Sequence, residues 1–196
     1  MAIYQFSVSV ISRSKGLSLV SIAGQYACEE LHDARLGRTV DFVGNYNIVF
    51  KKIFLPQNAL VWMSDRGKLW NAVDGLEPRE NSHLAREINV SLPRELAKDQ
   101  NIKLAIDFVH SEFVAHGMVA DLCIYKDKYR DGEEQLHAHV MLTMRAIIEG
   151  GFGFKKRSWD AKRNITLWRE SWVKHVNRYL ALNGIVLGGA NQWIDH

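Results

Sequence analysis

Little in this sequence suggests a cross-linked, membrane-spanning or repetitive protein. Among 196 residues there are two cysteines, Cys28 and Cys123, far apart and in no CxxC pair. A disulfide scaffold and a cysteine zinc site are therefore not expected, and a cytoplasmic protein is. No stretch approaches the roughly 20 apolar residues that a membrane span requires. The opening residues MAIYQFSVSV alternate polar and apolar side chains, unlike a secretory leader with its charged and then apolar regions. Internal repeats and low-complexity tracts are missing as well. Charge excess is also small: Lys and Arg total 25 against 22 Asp and Glu, a formal +3, where dedicated nucleic-acid-binding domains are usually more basic.

What is present is an ordinary globular composition, 47% hydrophobic and 24% charged. It is enough for a substantial core, and one domain over residues 1–196 fits better than two. The charge is unevenly placed. Residues 1–60 hold six basic and four acidic side chains, 61–150 hold eleven and fifteen, and 151–196 hold eight and three. Two basic ends thus flank an acidic middle, which is either a feature of function or the ordinary variation of a solvated surface.

The pattern along the chain predicts mixed structure. Tyr4, Phe6, Val8 and Val10 alternate with Gln5, Ser7 and Ser9, the period of a strand with one buried face. Ser18 is placed to cap a helix bearing Leu19, Ile22, Ala23 and Tyr26. Tyr46–Leu55 reads as a strand ended by Pro56, Ser64 as the cap of a short helix through Trp70, and Ile88–Leu92 as a strand halted by Pro93. The longest helical pattern runs from Glu95 to His116. Two strand-like runs follow, Met118–Tyr125 and Leu136–Met144, joined by a hydrophilic connection. A glycine-rich loop, Gly150–Gly153, precedes a last helix from about Thr166 to Asn183. This irregular alternation predicts an α+β domain, an antiparallel sheet with its helices on one side.

Two features could carry chemistry. His137 and His139 lie at i and i+2, so on a strand they share a face about 6.6 Å apart and could ligate one divalent cation. They could equally be two surface histidines, because a metal normally takes at least three protein ligands. Candidates for the third are His110, His116 and Glu87. Tyr26 sits on the apolar stripe of its helix, where it is either a core aromatic or a nucleophile able to attack a phosphodiester.

Four separated segments carry a resemblance: MAIYQFSVSVISRSKGLS, SIAGQYACEELHDARLG, LAREINVSLPREL and HAHVMLTMR. In this order, and extending to the terminal WIDH, they resemble the MobA/MobL relaxases, particularly the relaxase domains of TraA-type conjugation proteins, which are HUH endonucleases. The resemblance implies a central antiparallel sheet flanked by helices. It also implies that the chain is the N-terminal part of a longer protein with a helicase domain beyond. The implied activity is strand-specific nicking of single-stranded DNA at an origin of transfer. Tyr26 would become linked to the 5′ phosphate, leaving a free 3′ hydroxyl. His137 and His139 match the metal-binding pair, for Mg²⁺ or Mn²⁺, and Glu87 matches an acidic position that orients the tyrosine or a histidine. Implied partners are relaxosome and type IV secretion components, and the implied locations are the cytoplasm and, with the DNA, the recipient cell.

Two positions depart from the pattern: Asn89 stands where a second acidic residue often follows Glu87, and the more important departure is at the third metal ligand. Where relatives carry the third histidine, before the HxH strand, this chain has Tyr125. A phenol with a reference pKa of about 10 is a poor ligand at neutral pH. Weak ligation by Tyr125, completion of the shell by another group or water, and poor metal binding with slow nicking all remain open. Tyr125 as a second nucleophile is a further possibility. Arg13 and Lys15, with Arg35 and Arg38, flank the tyrosine helix, while Arg145, Lys155, Lys156 and Arg157 follow the HxH strand. They are expected to meet DNA phosphates, with Phe152, Phe154 and Trp159 as stacking surfaces; a packed C-terminal subdomain is the alternative, and the one expected for Trp168 and Trp172. A degenerate relaxase that binds origin DNA without cleaving it is the rival function, and a stand-alone metal-binding protein a third.

Overall fold

A computed structural model describes residues 5–16, 18–44, 47–128 and 132–185. Tyr4, Tyr46, the terminal WIDH and the side chain of Lys15 lie outside the described part. In chain order the elements are β1 (Phe6–Ser12), α1 (Leu19–Ala27), β2 (Leu31–Asp33), β3 (Arg38–Val40), β4 (Asn47–Phe54), α2 (Arg66–Gly75), β5 (His83–Ser91), α3 (Lys98–Glu112), β6 (Ala120–Lys128), β7 (Glu134–Thr143), β8 (Arg145–Ile148), β9 (Gly151–Lys155) and α4 (Lys162–Leu182).

Five strands form one antiparallel sheet in the order β1-β5-β7-β6-β4. The expected α+β class with a central antiparallel sheet is the observed one. β2–β3 and β8–β9 are separate two-stranded hairpins. The second of these replaces the expected glycine-rich loop: Gly150, at φ 88°, makes the turn, and Gly151 is already paired with Ile148. Two boundaries also differ from expectation. Asp65, not Ser64, caps α2, accepting from Lys68 N at 2.9 Å, while Ser64 Oγ donates back to Val61 O in the preceding 3-10 turn. α4 begins at Lys162, four residues before Thr166.

Helices cover both faces of the sheet, not one. On the first face Ile88, Val90, Leu122, Ile124 and Val140 pack against Leu104 and Phe108 of α3 and Trp172 and Val176 of α4. Trp168 and Trp172 are buried there, edge-on to Phe113 and Phe108 at centroid distances of 5.4 and 5.1 Å. On the second face Ile53, Ala85 and Met141 meet Leu19 and Ala23 of α1 and Leu69, Trp70 and Val73 of α2. The sequence conceals this second layer because that face is mixed. Ser9, Glu87, Met141, Asp121 and Ile53 lie in one cross-strand row, so simple alternation reads it as polar. Its apolar members still need cover, and α1 and α2 provide it.

A buried ion pair fastens α2 to the sheet. Asp121, 2% exposed, accepts from Arg66 Nε and Nη2, each at 2.8 Å, and from Trp70 Nε1 at 2.9 Å. Arg66 Nη1 also reaches Glu29 at 2.6 Å, and Glu29 pairs with Lys51 at 2.8 Å. Burial alone would penalise the guanidinium, but the Asp121 carboxylate outweighs it and drives the Arg66 pKa upward. Replacing Asp121 with Ala leaves the buried guanidinium with only the Glu29 carboxylate at Nη1 and takes the acceptor from Nε, Nη2 and Trp70. We expect a loss of about 3–5 kcal/mol in urea unfolding; a loss below about 1 kcal/mol would contradict this reading of the pair.

Candidate active site

Along the second face the sheet grades from apolar to polar, and the polar part carries the candidate residues. Antiparallel register places Asn89, His139 and Cys123 in one row, and Ser91, His137 and Tyr125 in the next. His137 and His139 therefore share a face with Tyr125 and Glu87, as their spacing predicts. α1 brings Tyr26 to the same place. Ser18 caps this helix, accepting from Ser21 N at 3.0 Å, and Cys28 closes it in the left-handed conformation at φ 49°. The Tyr26 ring packs partly against the α1–α2 core, while its hydroxyl reaches out to the sheet.

Glu87 lies between the tyrosine and the histidine. Its Oε1 accepts from Tyr26 Oη at 2.7 Å and stands 2.9 Å from His139 Nδ1; its Oε2 accepts from Ser9 Oγ at 3.0 Å. The His139 ring lies flat on Tyr26, with centroids 4.1 Å apart and planes 8° from parallel. On the other side His139 Nε2 is 2.9 Å from Tyr125 Oη. Tyr125 in turn stacks near both imidazoles, at 5.1 Å from His139 and 5.7 Å from His137. His137 Nδ1 is 3.3 Å from Ser91 Oγ. The result is a continuous polar chain, Tyr26–Glu87–His139–Tyr125.

Burial pushes the Glu87 pKa up, but hydrogen bonds from His139, Tyr26 and Ser9 outweigh it. The carboxyl is held below its ordinary value. Burial also pushes the His137 pKa down; Asp127 opposes this, while His139 and Arg94 reinforce it.

Ser9 and Ser91 were not singled out from the sequence. Only the polar side of β1's alternation and the serine closing the INVS run hinted at them. His110 and His116 do not join the site. They belong to α3 and the turn after it, on the opposite face, where His110 sits edge-on to Phe54 at 5.0 Å.

The donor set was tested against a resident metal. Among the described residues no three His, Cys, Asp or Glu side chains converge to hold one. The site offers two imidazoles and a phenol, and one of those imidazoles has both ring nitrogens within hydrogen-bond distance of protein oxygens. That does not fit a cation held by three side chains of the usual kinds.

The cationic candidates are placed differently from one another. Arg13, with its side chain 12% exposed, pairs with Asp74 at 3.1 Å and donates to Glu77 O at 2.8 Å. Arg145 and Lys155 both pair with Glu77, at 2.9 and 3.1 Å, and Lys155 also donates to His83 O. Lys156 is exposed, its ammonium 5.2 Å from the Trp159 ring centre. Phe154 is 93% exposed, whereas Phe152 meets Trp62 edge-on. No helix among the described residues is long and apolar enough to cross a membrane.

Comparison with known proteins decides the lineage. Residues 17–188 match the model of the MobA/MobL family. The chain belongs to that family. Conjugal transfer protein TraA of Agrobacterium fabrum is 34% identical over 95% of this chain. Mobilization protein MobL of Acidithiobacillus ferridurans is 29% identical over 80% of it. The chain spans 19% of the TraA length and 46% of the MobL length. A solved structure described as the molecular basis of vancomycin resistance transfer in Staphylococcus aureus is 30% identical, with a TM-score of 0.87, covering 97% of this chain and 99% of that one. The conjugative relaxase TrwC, solved with origin-of-transfer DNA in a metal-bound form, matches at a TM-score of 0.60 and 11% identity, over 95% of this chain and 73% of that one. The second likeness is one of fold.

The site's electrostatics set a pH dependence for stability in this MobA/MobL domain. His137 favours its neutral form on folding, so acidification through its ordinary value of 6.5 begins to destabilise the fold. Glu87 contributes fully above its unfolded value of 4.5, and that contribution disappears as pH falls through the lower folded value. Thermal melts should show Glu87→Gln less stable than wild type at neutral pH, with the gap closing as pH drops from about 6 towards 3. A gap independent of pH would show that the carboxylate is not held by its partners.

Proposed function

We propose that this domain is a relaxase that nicks one DNA strand at an origin of transfer, with Tyr26 as the nucleophile. The observation that carries the reading is the Tyr26 hydroxyl lying 2.7 Å from a Glu87 carboxyl whose pKa is held low, with the His139 ring flat against the phenol. A phenol is a weak nucleophile until its proton has somewhere to go, and an adjacent carboxylate provides that place. As Tyr26 Oη attacks the phosphorus, its proton passes to Glu87 Oε1. The bond from phosphorus to the 3′ oxygen breaks, the departing oxygen takes up a proton from solvent water as Glu87 returns to solvent the one it accepted, and the 5′ phosphate remains on the tyrosine. Attack by the 3′ hydroxyl in the reverse direction reseals the strand.

His139 supports this step by its contact with Glu87 and fixes the plane of the phenol. Of the two histidines expected to hold Mg²⁺ or Mn²⁺, His139 has both ring nitrogens within hydrogen-bond distance of protein oxygens, so His137 is the one left to meet the ion, and the step above uses protein groups alone. Similar solved structures of TrwC in metal-bound and metal-free forms support metal as an accompaniment to the DNA. For the DNA backbone, exposed Lys156 with neighbouring Phe154 is the first contact proposed, and Lys15 a second. Arg13, Arg145 and Lys155 shape that surface through their ion pairs and face phosphate only in part. The relatives named for conjugal transfer and mobilization support origin DNA, relaxosome and secretion components as partners, and the cytoplasm and recipient cell as locations.

The test uses labelled single-stranded DNA spanning the origin of transfer of the element that encodes the protein, with Mn²⁺ present. Wild type should form a covalent adduct that survives denaturing electrophoresis, and Tyr26→Phe should form none. Glu87→Gln should slow adduct formation by about 10²–10⁴-fold. Tight binding without adduct in wild type would overturn nicking and favour a non-cleaving origin-DNA binder, the reading that Tyr125 keeps in play.

A further inference from the structure

Tyr125 stands where the family pattern places a metal-ligating histidine, and the structure gives its hydroxyl a different task. Its Oη is 2.9 Å from His139 Nε2, on the side of the ring opposite Glu87. The Tyr125 and His139 rings are stacked, with planes 11° from parallel and centroids 5.1 Å apart, so the phenol is held against the imidazole in a fixed orientation. β6 and β7 set that orientation: Tyr125 pairs in register with His137 and lies one row along from His139.

The partners dictate where the proton on His139 sits. A carboxylate oxygen only accepts, so the ring nitrogen facing Glu87, Nδ1, must donate. In the neutral imidazole that leaves Nε2 as the acceptor, and the Tyr125 hydroxyl is the donor that completes it. A metal ion bound by His139 would need a nitrogen lone pair. Nδ1 has none available while it donates to Glu87, and the lone pair on Nε2 is directed at Tyr125. Holding the polar chain together and ligating a cation through His139 are therefore competing uses of one nitrogen.

We propose that Tyr125 is a positioning residue that engages the Nε2 lone pair of His139, whose Nδ1 proton Glu87 fixes, and thereby both steadies the ring between Glu87 and Tyr26 and keeps divalent cations off it. The proposal deepens the relaxase reading, resting on Tyr26 and Glu87 being the reacting pair. It gives the departure at residue 125 a role. The chain exchanges a third imidazole for a hydrogen-bond donor, and its site is organised by protons where a three-histidine site is organised by a metal. Cation binding becomes weak, left to His137 with water or phosphate oxygens.

Two measurements on the intact domain test this without DNA cleavage. Long-range ¹⁵N–¹H NMR reads the tautomer of His139, assigned by comparison with His139→Gln. Wild type should show a protonated Nδ1 and an unprotonated, hydrogen-bonded Nε2; Tyr125→Phe should keep the Nδ1 proton, which Glu87 fixes, but move the Nε2 resonance to that of an acceptor without a donor, while keeping its circular dichroism spectrum and melting behaviour. Calorimetric titration with Mn²⁺ alone should show weak binding to wild type. Binding should tighten in Tyr125→Phe, which releases Nε2, and should tighten further in Tyr125→His, by at least about tenfold over wild type. An unchanged Nε2 resonance in Tyr125→Phe, or Mn²⁺ binding to wild type as tight as to either variant, overturns the proposal. Tyr26→Phe should leave both readouts as in wild type. Failure of the Nε2 prediction thus leaves nicking by Tyr26 to its own assay, and absence of an adduct leaves the Tyr125 result standing.

Discussion

The Glu87 carboxylate is the group on which the candidate site depends. It is partly buried, and a carboxylate in that position is tolerated only when its oxygens are satisfied. Ser9 from β1, Tyr26 from α1 and His139 from β7 satisfy them. One charge thus ties together an edge strand, a helix and the central strand of the sheet. Tyr26 is held away from a purely core role by that bond, and His139 is oriented by it. Remove the charge and each of these side chains loses the partner that gives it direction.

The scaffold beneath is built for the same end by a different pair. Asp121 belongs to the same cross-strand row as Glu87 and Met141, yet lies under α2, where Arg66 and Trp70 enclose it. Two acids on one sheet face therefore have opposite circumstances. Asp121 is wholly committed to a buried guanidinium and anchors the helical cover. Glu87, beyond the edge of that cover, meets groups that can exchange a proton. Where the helices stop decides which acid is structural and which is chemically available.

Much of this was legible in the sequence, for reasons that can be named. HxH spacing on a strand, the Ser18 cap and the stripe carrying Tyr26 are local signals, and the two elements that bear them, β7 and α1, form where they predict. The motifs that resemble the MobA/MobL family brought Glu87 into the same group as Tyr26 and the histidines. What stayed hidden was non-local. Helical cover on both faces was not readable because apolar Ile53 and Met141 share rows with acids. Ser9 and Ser91 carry no motif and become visible only once the strand register is known. The basic clusters read as contacts for DNA phosphates, and nothing in the sequence signalled that Arg13, Arg145 and Lys155 also pair with Asp74 and Glu77. Net charge along a chain says nothing about which cations have acids folded next to them.

The strand order β1-β5-β7-β6-β4 also has a temporal side. Ser9 and Glu87 are 78 residues apart, Tyr26 and Glu87 61, and Glu87 and His139 52. Contacts this distant in sequence repay their loop-closure entropy only when the sheet assembles as a whole. A chain emerging from the ribosome presents its tyrosine helix first and the β7 histidines well over a hundred residues later. Until β7 inserts between β5 and β6, no part of the chain can hold phenol, carboxylate and imidazole together. The topology therefore leaves the candidate site unassembled until the domain is nearly complete.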